Sequence, residues 1–286
     1  MPRIMLNGAA LNIETYGDGP ETLVFGHGLL WSGRMFEAQI AVLSRRYRCI
    51  TIDWRGQGGS EATPDGYDMD TLAEDALCLI RDVVGGPVHY LGLSMGGFVG
   101  MRLAIRHREW LKSLVLLETS ADPEPQEKML KYSLMKHASR WLGLGVVAAP
   151  VMKVMFGSTF LNDPGRHGVR EEMRRRLLQN DHRTIGRAID GVFTRDGVYD
   201  GLSGITTPTL IIVGDEDEAT IPAKSRRMHA AIPGSRLVVI PGAGHTSTVE
   251  EPDLVTDAIQ SFLDSLPRRV AEAAPKPVRK RRSPAK

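Results

Sequence analysis

Gly92-Leu93-Ser94-Met95-Gly96-Gly97 decides the fold. It matches G-x-S-x-G and joins a short apolar run, Val88–Leu93, to a stretch with helical spacing, Gly96–His107. A serine at a strand-to-helix turn tight enough to present its hydroxyl sits in a strained backbone conformation. Neighbours without a Cβ let the chains pass closely there. The helix that follows aims its N-terminal amides at the place where negative charge would develop. Ser94 is therefore a candidate nucleophile at the end of a strand.

The same alternation extends outward on both sides. Thr22–Phe25 stops at Gly26, Arg48–Asp53 runs into a Gly-rich loop, and Leu111–Leu117 is almost wholly apolar. Asp70–Val84 repeats its apolar residues at helical spacing. Nearly all-apolar strands separated by helices predict an α/β protein with a parallel sheet covered on both faces. Arg3–Leu6 and Ala10–Tyr16, joined at Asn7-Gly8, predict an opening hairpin. From Pro123 to Val198 the rhythm breaks into helix candidates at Gln126–Leu142, Val146–Phe156, Val169–Asn180 and His182–Arg195. It returns with Thr209–Val213, Pro222–Ile232, Arg236–Ile240 and Pro252–Leu266. The expected organisation is a core of residues 1–122 and 199–266, an inserted helical cap of 123–198, and a disordered basic tail of 267–286.

Composition bounds the function. Of the 286 residues 42% are apolar and 24% charged, which excludes a disordered chain. Two cysteines, Cys49 and Cys78, are too few for a disulfide framework or a Cys-rich metal site and suit a reducing compartment. No apolar run reaches eighteen residues and the N-terminus has no apolar signal region, so the expectation is a soluble, cytoplasmic protein. The net charge of +2 is uneven: the cap carries thirteen Lys/Arg against eight acids, and the tail eight against one. The tail reads first as a solubilising segment. A polyanion-binding arm is the sharper alternative, weakened for nucleic acid by the lack of any aromatic residue to stack on bases. The sequence leaves a homo-oligomer open.

A serine hydroxyl needs an adjacent base. Of eight histidines, His245 in Pro241-Gly242-Ala243-Gly244-His245 follows the last predicted strand in a small, flexible loop that can carry an imidazole over the sheet's edge. The acid that orients it should come from Gly214-Asp215-Glu216-Asp217-Glu218. Asp217 is the first choice, Asp215 the reserve, and Glu118 a third. An anionic intermediate requires two backbone N–H donors, nominated as those of Leu29 and Met95. His27 should hold its loop by hydrogen bonds. Leu30 and Trp31 near that loop, and Trp141, Met152, Met155 and Phe156 in the cap, are the substrate-binding candidates.

With these residues in place, the chain resembles the α/β-hydrolase superfamily. His27-Gly28, the loop Asp53-Trp54-Arg55-Gly56-Gln57-Gly58-Gly59-Ser60, Gly92–Gly97, Gly214–Asp217 and Gly244-His245 occur in that family's order. Gln57 stands where the family often has histidine. Within the superfamily, Gly92–Gly100 and Pro208–Asp217 are similar to 3-oxoadipate enol-lactonase-like esterases, and Ser-Met-Gly-Gly is shared with serine haloperoxidases (perhydrolases). Related dehalogenases and epoxide hydrolases attack with aspartate at the position of Ser94.

The resemblance implies a serine hydrolase acting on a small to medium, mainly apolar ester or lactone, without metal or organic cofactor. The same triad also serves perhydrolysis, C–C or thioester hydrolysis, or a low-turnover ligand-binding homologue. The basic cap invites attraction of a carboxylate-bearing substrate. The plainer reading places Arg174, Arg175 and Arg176 on a solvated helix face or pairs them with the acidic core.

Overall fold

A computed structural model describes residues 3–267 of the chain. Nine strands and eleven α-helices lie among them. The strands are β1 (Ile4–Leu6), β2 (Ala9–Leu11), β3 (Ile13–Tyr16), β4 (Thr22–Gly26), β5 (Arg48–Ile52), β6 (Val88–Leu93), β7 (Leu111–Leu117), β8 (Thr209–Gly214) and β9 (Arg236–Ile240). The helices are α1 (Glu37–Leu43), α2 (Met69–Cys78), α3 (Met95–Arg106), α4 (Gln126–Leu142), α5 (Ala148–Met155), α6 (Ser158–Asn162), α7 (His167–Leu178), α8 (Ile185–Phe193), α9 (Pro222–Ala231), α10 (Ser247–Glu250) and α11 (Pro252–Asp264).

Seven strands form one sheet in the order β3-β5-β4-β6-β7-β8-β9, all parallel except the antiparallel edge strand β3. Every residue of β4, β6 and β8 is buried. That is why these strands read as continuous apolar runs rather than as alternation. Helix α1 packs on α11, and α2 on α3, to cover the sheet. The parallel order puts the C-terminal ends of β4, β6, β8 and β9 on one rim, where the loops carrying His27, Ser94, Asp217 and His245 emerge.

Asn7 and Gly8 both have positive φ (45° and 76°) and close the β1–β2 hairpin. Its predicted second arm, Ala10–Tyr16, is in fact two strands. Asn12 breaks it by turning to the following loop, accepting at its carbonyl from Asp53 N and donating from Nδ2 to Asp53 Oδ2. Ile13–Tyr16 then joins the large sheet beside β5. Helix α1 was not foreseen. It is seven residues long, and one of its buried positions is Gln39, whose amide donates to the Thr248 carbonyl. Between β7 and β8 the described residues form helices α4 to α8 and no strand. The basic stretch 267–286 lies, after Pro267, outside the described residues. No described helix is long and apolar enough to cross a membrane.

The glycines of the elbow are fixed by backbone contact. A Cβ on Gly92 would stand 2.2 Å from the Gly96 carbonyl oxygen, and one on Gly96 would stand 2.0 Å from that of Gly26. Neither neighbour is a flexible side chain that could swing away. Gly96→Ala is therefore expected to destabilise the fold by about 3 kcal/mol, the upper range for overpacking. An equilibrium urea titration reads this as a lower midpoint. An unchanged midpoint would show that α3 and β4 can separate at no cost.

Candidate active site

Ser94 follows directly on β6 and caps α3, with φ 51° and ψ −109°. Such a conformation in a non-glycine residue costs about 1–3 kcal/mol. The surroundings hold it in place. Its N–H donates to the Leu117 carbonyl (2.8 Å), and its carbonyl accepts from the Thr119 hydroxyl (2.9 Å) and the amides of Gly97 and Phe98.

His245 lies in the loop after β9, and its Nε2 is 2.9 Å from Ser94 Oγ. On the other side, Nδ1 is 3.0 and 3.1 Å from the two carboxylate oxygens of Asp217. An ionised carboxylate only accepts, so Nδ1 carries the proton and Nε2 turns its lone pair to the serine hydroxyl. Asp217 accepts in addition from Ala219 N, Thr220 N and the Thr220 hydroxyl at 2.8–2.9 Å. Burial alone would raise its carboxyl. The charge and hydrogen bond of His245, with the Thr220 donors, more than offset this and hold it below the usual carboxylate range. All three side chains are buried.

The structure separates the competing acids. Asp215 faces outward and accepts from Gly242 N. Glu118, at the end of β7 with φ 39°, is fully buried. Burial pushes its carboxyl well above the ordinary range, and the negative charges of Asp217 and Glu250 add to that shift. Of the three, Asp217 is the one brought to the imidazole. Thr220, which fixes both of its oxygens, was not singled out in the sequence; a hydroxyl three residues past the acid was the available signal.

The loop after β4 is held from below. His27 Nε2 accepts from Trp54 N (3.0 Å), so its Nδ1 donates to the Gly28 carbonyl (2.7 Å). Burial depresses the ring's basicity and keeps it neutral for this task. Gln57 accepts from Leu30 N at 2.7 Å, holding Leu30 at a φ of 74°. The neighbouring amides are engaged: Gly28 N with Met35 Sδ, Leu30 N with Gln57, Gly96 N with the His27 carbonyl, and Gly97 and Phe98 N with that of Ser94. Among the described residues, the amides of Leu29 and Met95 are the two beside Ser94 not engaged in this way.

A cavity of about 120 Å³ opens on Ser94 and His245. Leu29, Leu30, Phe98, Leu144, Val147, Val151, Val154, Met155, Ile189 and Val192 make most of its wall, with Glu124, Lys136, Ser139 and Thr220 as its polar members besides Ser94 and His245. Of the substrate-binding candidates, Leu30 and Met155 line it. The other four do not. On α5 and the residue before it, Val147, Val151, Val154 and Met155 share the helical face turned to the cavity. Met152 and Phe156 lie on another face, over a groove beside Glu216. Phe156 stacks on Phe160 and meets the Trp31 ring edge-on. Trp31 is buried and lines a different cleft, with Asn12 and Asn180. Trp141, on the outer side of α4, is 80% exposed. Phe98, Leu144, Val147, Ile189, Val192 and Phe193 are wall residues that the sequence reading missed.

The arginine run of α7 does not face the cavity. Arg174 pairs with Glu171, Arg175 with Glu172, and Arg176 with Glu172 and Glu37. Lys136 is the cation on the cavity wall, and it is paired with Asp190.

The family of the α/β hydrolase fold matches residues 21–252. A putative carbamate hydrolase, RutD, from Pseudomonas syringae pv. syringae is 28% identical over 88% of this chain and 96% of its own length. A thermophilic esterase from Thermogutta terrifontis has 30% identity and a TM-score of 0.85 over 93% of this chain and 99% of that one. The enol-lactonase from Burkholderia xenovorans LB400 has 27% identity and a TM-score of 0.85 over 92% and 100%. In that fold the nucleophile sits on a strand-to-helix turn with the acid and the histidine after it in the chain, the order in which Ser94, Asp217 and His245 stand here. The chain belongs to the α/β-hydrolase fold family.

Proposed function

We propose that this hydrolase cleaves uncharged, short-chain carboxylic esters or lactones through an acyl-enzyme on Ser94. The observation that carries the reading is the unbroken contact from Ser94 Oγ through the imidazole to Asp217, 2.9 and 3.0 Å, opening on an apolar cavity. Ser94 Oγ attacks the carbonyl carbon while His245 Nε2 takes its proton. Asp217 keeps the imidazole in the productive tautomer and stabilises its cation. The amides of Leu29 and Met95 receive the oxyanion; losing such a donor costs about 100- to 1,000-fold in rate. His245 then returns the proton to the leaving alcohol and activates the water that releases the acid. The helices between β7 and β8 act as the cap, supplying the cavity's upper wall.

The cavity, about 120 Å³, is well below the roughly 300–1,000 Å³ of pockets that enclose drug-sized ligands. Among the described residues the lysine on its wall, Lys136, is already paired with Asp190, which favours uncharged over carboxylate-bearing substrates. The esterase and enol-lactonase names of two structural neighbours agree with a carbonyl-directed reaction.

A fluorophosphonate probe followed by peptide mass spectrometry should place its adduct on Ser94. p-Nitrophenyl acetate and butyrate should turn over at least about tenfold faster, in kcat/KM, than the octanoate, since forcing extra methylenes into filled space costs about 1–3 kcal/mol. Ester turnover with no adduct on Ser94 would end the acyl-enzyme proposal. A carbamate hydrolysed faster than any ester would move the substrate class.

A further inference from the structure

Five residues past His245, the carboxylate of Glu250 is fully buried, yet among the described residues no arginine or lysine pairs with it. It is surrounded by N–H and O–H donors instead. Its Oε2 accepts from Gly157 N (2.8 Å) and Gly244 N (3.0 Å), and its Oε1 from Thr246 N (3.0 Å). The Thr246 hydroxyl stands 3.0 Å from Oε1 and also 3.0 Å from the Met155 carbonyl. Gly244 and Thr246 flank His245 directly. Gly157 and Met155 belong to the helical insertion, at the step from α5 to α6. One side chain thus fastens both sides of the histidine and ties them to the cap.

The backbones at this junction touch. A Cβ on Gly244 would stand 2.2 Å from Gly157 N, and one on Gly157 would stand 2.9 Å from Gly244 N. No side chain can come between the two loops, so the carboxylate that bridges them has no substitute at that point. Burial raises its carboxyl and the amides oppose that shift. Donors on both oxygens match the anion, which accepts at each.

We propose that Glu250 is a positioning residue, which sets the reach of His245 toward Ser94 and locks the α5–α6 end of the cap to the histidine loop. The proposal rests on the acyl-enzyme reading above. Nothing in Glu250 touches the reacting atoms; its effect passes through the two peptide groups on either side of the imidazole. A displacement of about 1 Å in a catalytic group can cost about a hundredfold in rate.

The test is Glu250→Gln, which keeps the shape but turns an NH2 group toward at least one of the three amides. kcat for p-nitrophenyl butyrate should fall by about 10- to 100-fold with KM changed less than about threefold, and fluorophosphonate labelling of Ser94 should slow in parallel. In Asp217→Asn background the same change should cost less than about threefold, because both act through one imidazole. A purely structural role predicts equal losses in both backgrounds, and that additivity would overturn the proposal, as would wild-type kcat in the single variant. Ser94→Ala run alongside separates the two ideas. If it retains activity the acyl-enzyme reading fails, and if it is inactive while Glu250→Gln is not, the positioning role alone fails. Should Glu250→Gln not fold, Thr246→Val removes one donor to the same carboxylate. It should lower kcat about threefold or more, and unchanged kcat there would also overturn the proposal.

Discussion

Ser94→Ala is expected to reduce kcat for ester hydrolysis by about a millionfold, the scale on which loss of a triad nucleophile acts. The size follows from what the hydroxyl does. On the proposed mechanism no acyl-enzyme can form without Oγ, and His245 faces a methyl group from which it can take no proton. The remaining machinery, oxyanion amides and apolar cavity, still binds substrate, so residual turnover should stay above the uncatalysed rate by a factor of about 1,000 to 10,000. KM should change little. Stability should change little too, because the backbone contacts that hold the elbow, Ser94 N to Leu117 and the Ser94 carbonyl to Thr119, do not involve Oγ. Kinetics on protein purified with no wild-type carry-over, together with a urea titration, decide it. More than about 1% of wild-type kcat in a folded variant would place the nucleophile elsewhere.

What the chain made legible is what depends on local backbone. The elbow could be read because glycine at 92 and 96 has a steric cause within the turn itself. The histidine loop and the acid loop could be read because each follows directly on an apolar strand of a parallel sheet, where topology alone delivers loop residues to one rim. Gln57 shows the limit of matching by residue type: an amide oxygen holds Leu30 N where the family often has an imidazole. The cavity wall was much less legible. Apolar residues on α4 and α5 are alike in sequence, and the helix rotation that sends Met155 inward, Met152 sideways and Trp141 to solvent is set by how these helices pack on one another, α4 on α8 and α5 on α7. The same holds for Asn12, which looks like mid-strand polarity until the 53–60 loop recruits it. Glu250 reads as one more acid at the start of a helix, because its three amide partners converge only in the folded chain.

Asp217→Asn should cost about 10,000-fold in kcat, with the fold retained. An asparagine of the same shape can turn its NH2 group to Nδ1. The imidazole then puts its proton on Nε2, facing Ser94 Oγ, and has no lone pair to accept with. Thr220 and Ala219 would still anchor the loop through the remaining oxygen, so the defect lies in proton placement rather than in position. Glu118 offers no rescue, since the structure brings Asp217, not Glu118, to the imidazole, and burial pushes the Glu118 carboxyl well above the ordinary range. The variant also carries a signed pH dependence. Folding holds the Asp217 carboxyl below its ordinary value of about 3.9. The stability this contributes is present above that value and is lost as pH falls through the lower, folded one. Wild type should therefore exceed Asp217→Asn in stability at pH 7, and the gap should shrink between about pH 4 and pH 3. Urea midpoints across that range measure it. A gap that widened on acidification would mean the carboxyl is raised in the folded state, and the ionised Asp217 on which the histidine's tautomer depends would be lost with it.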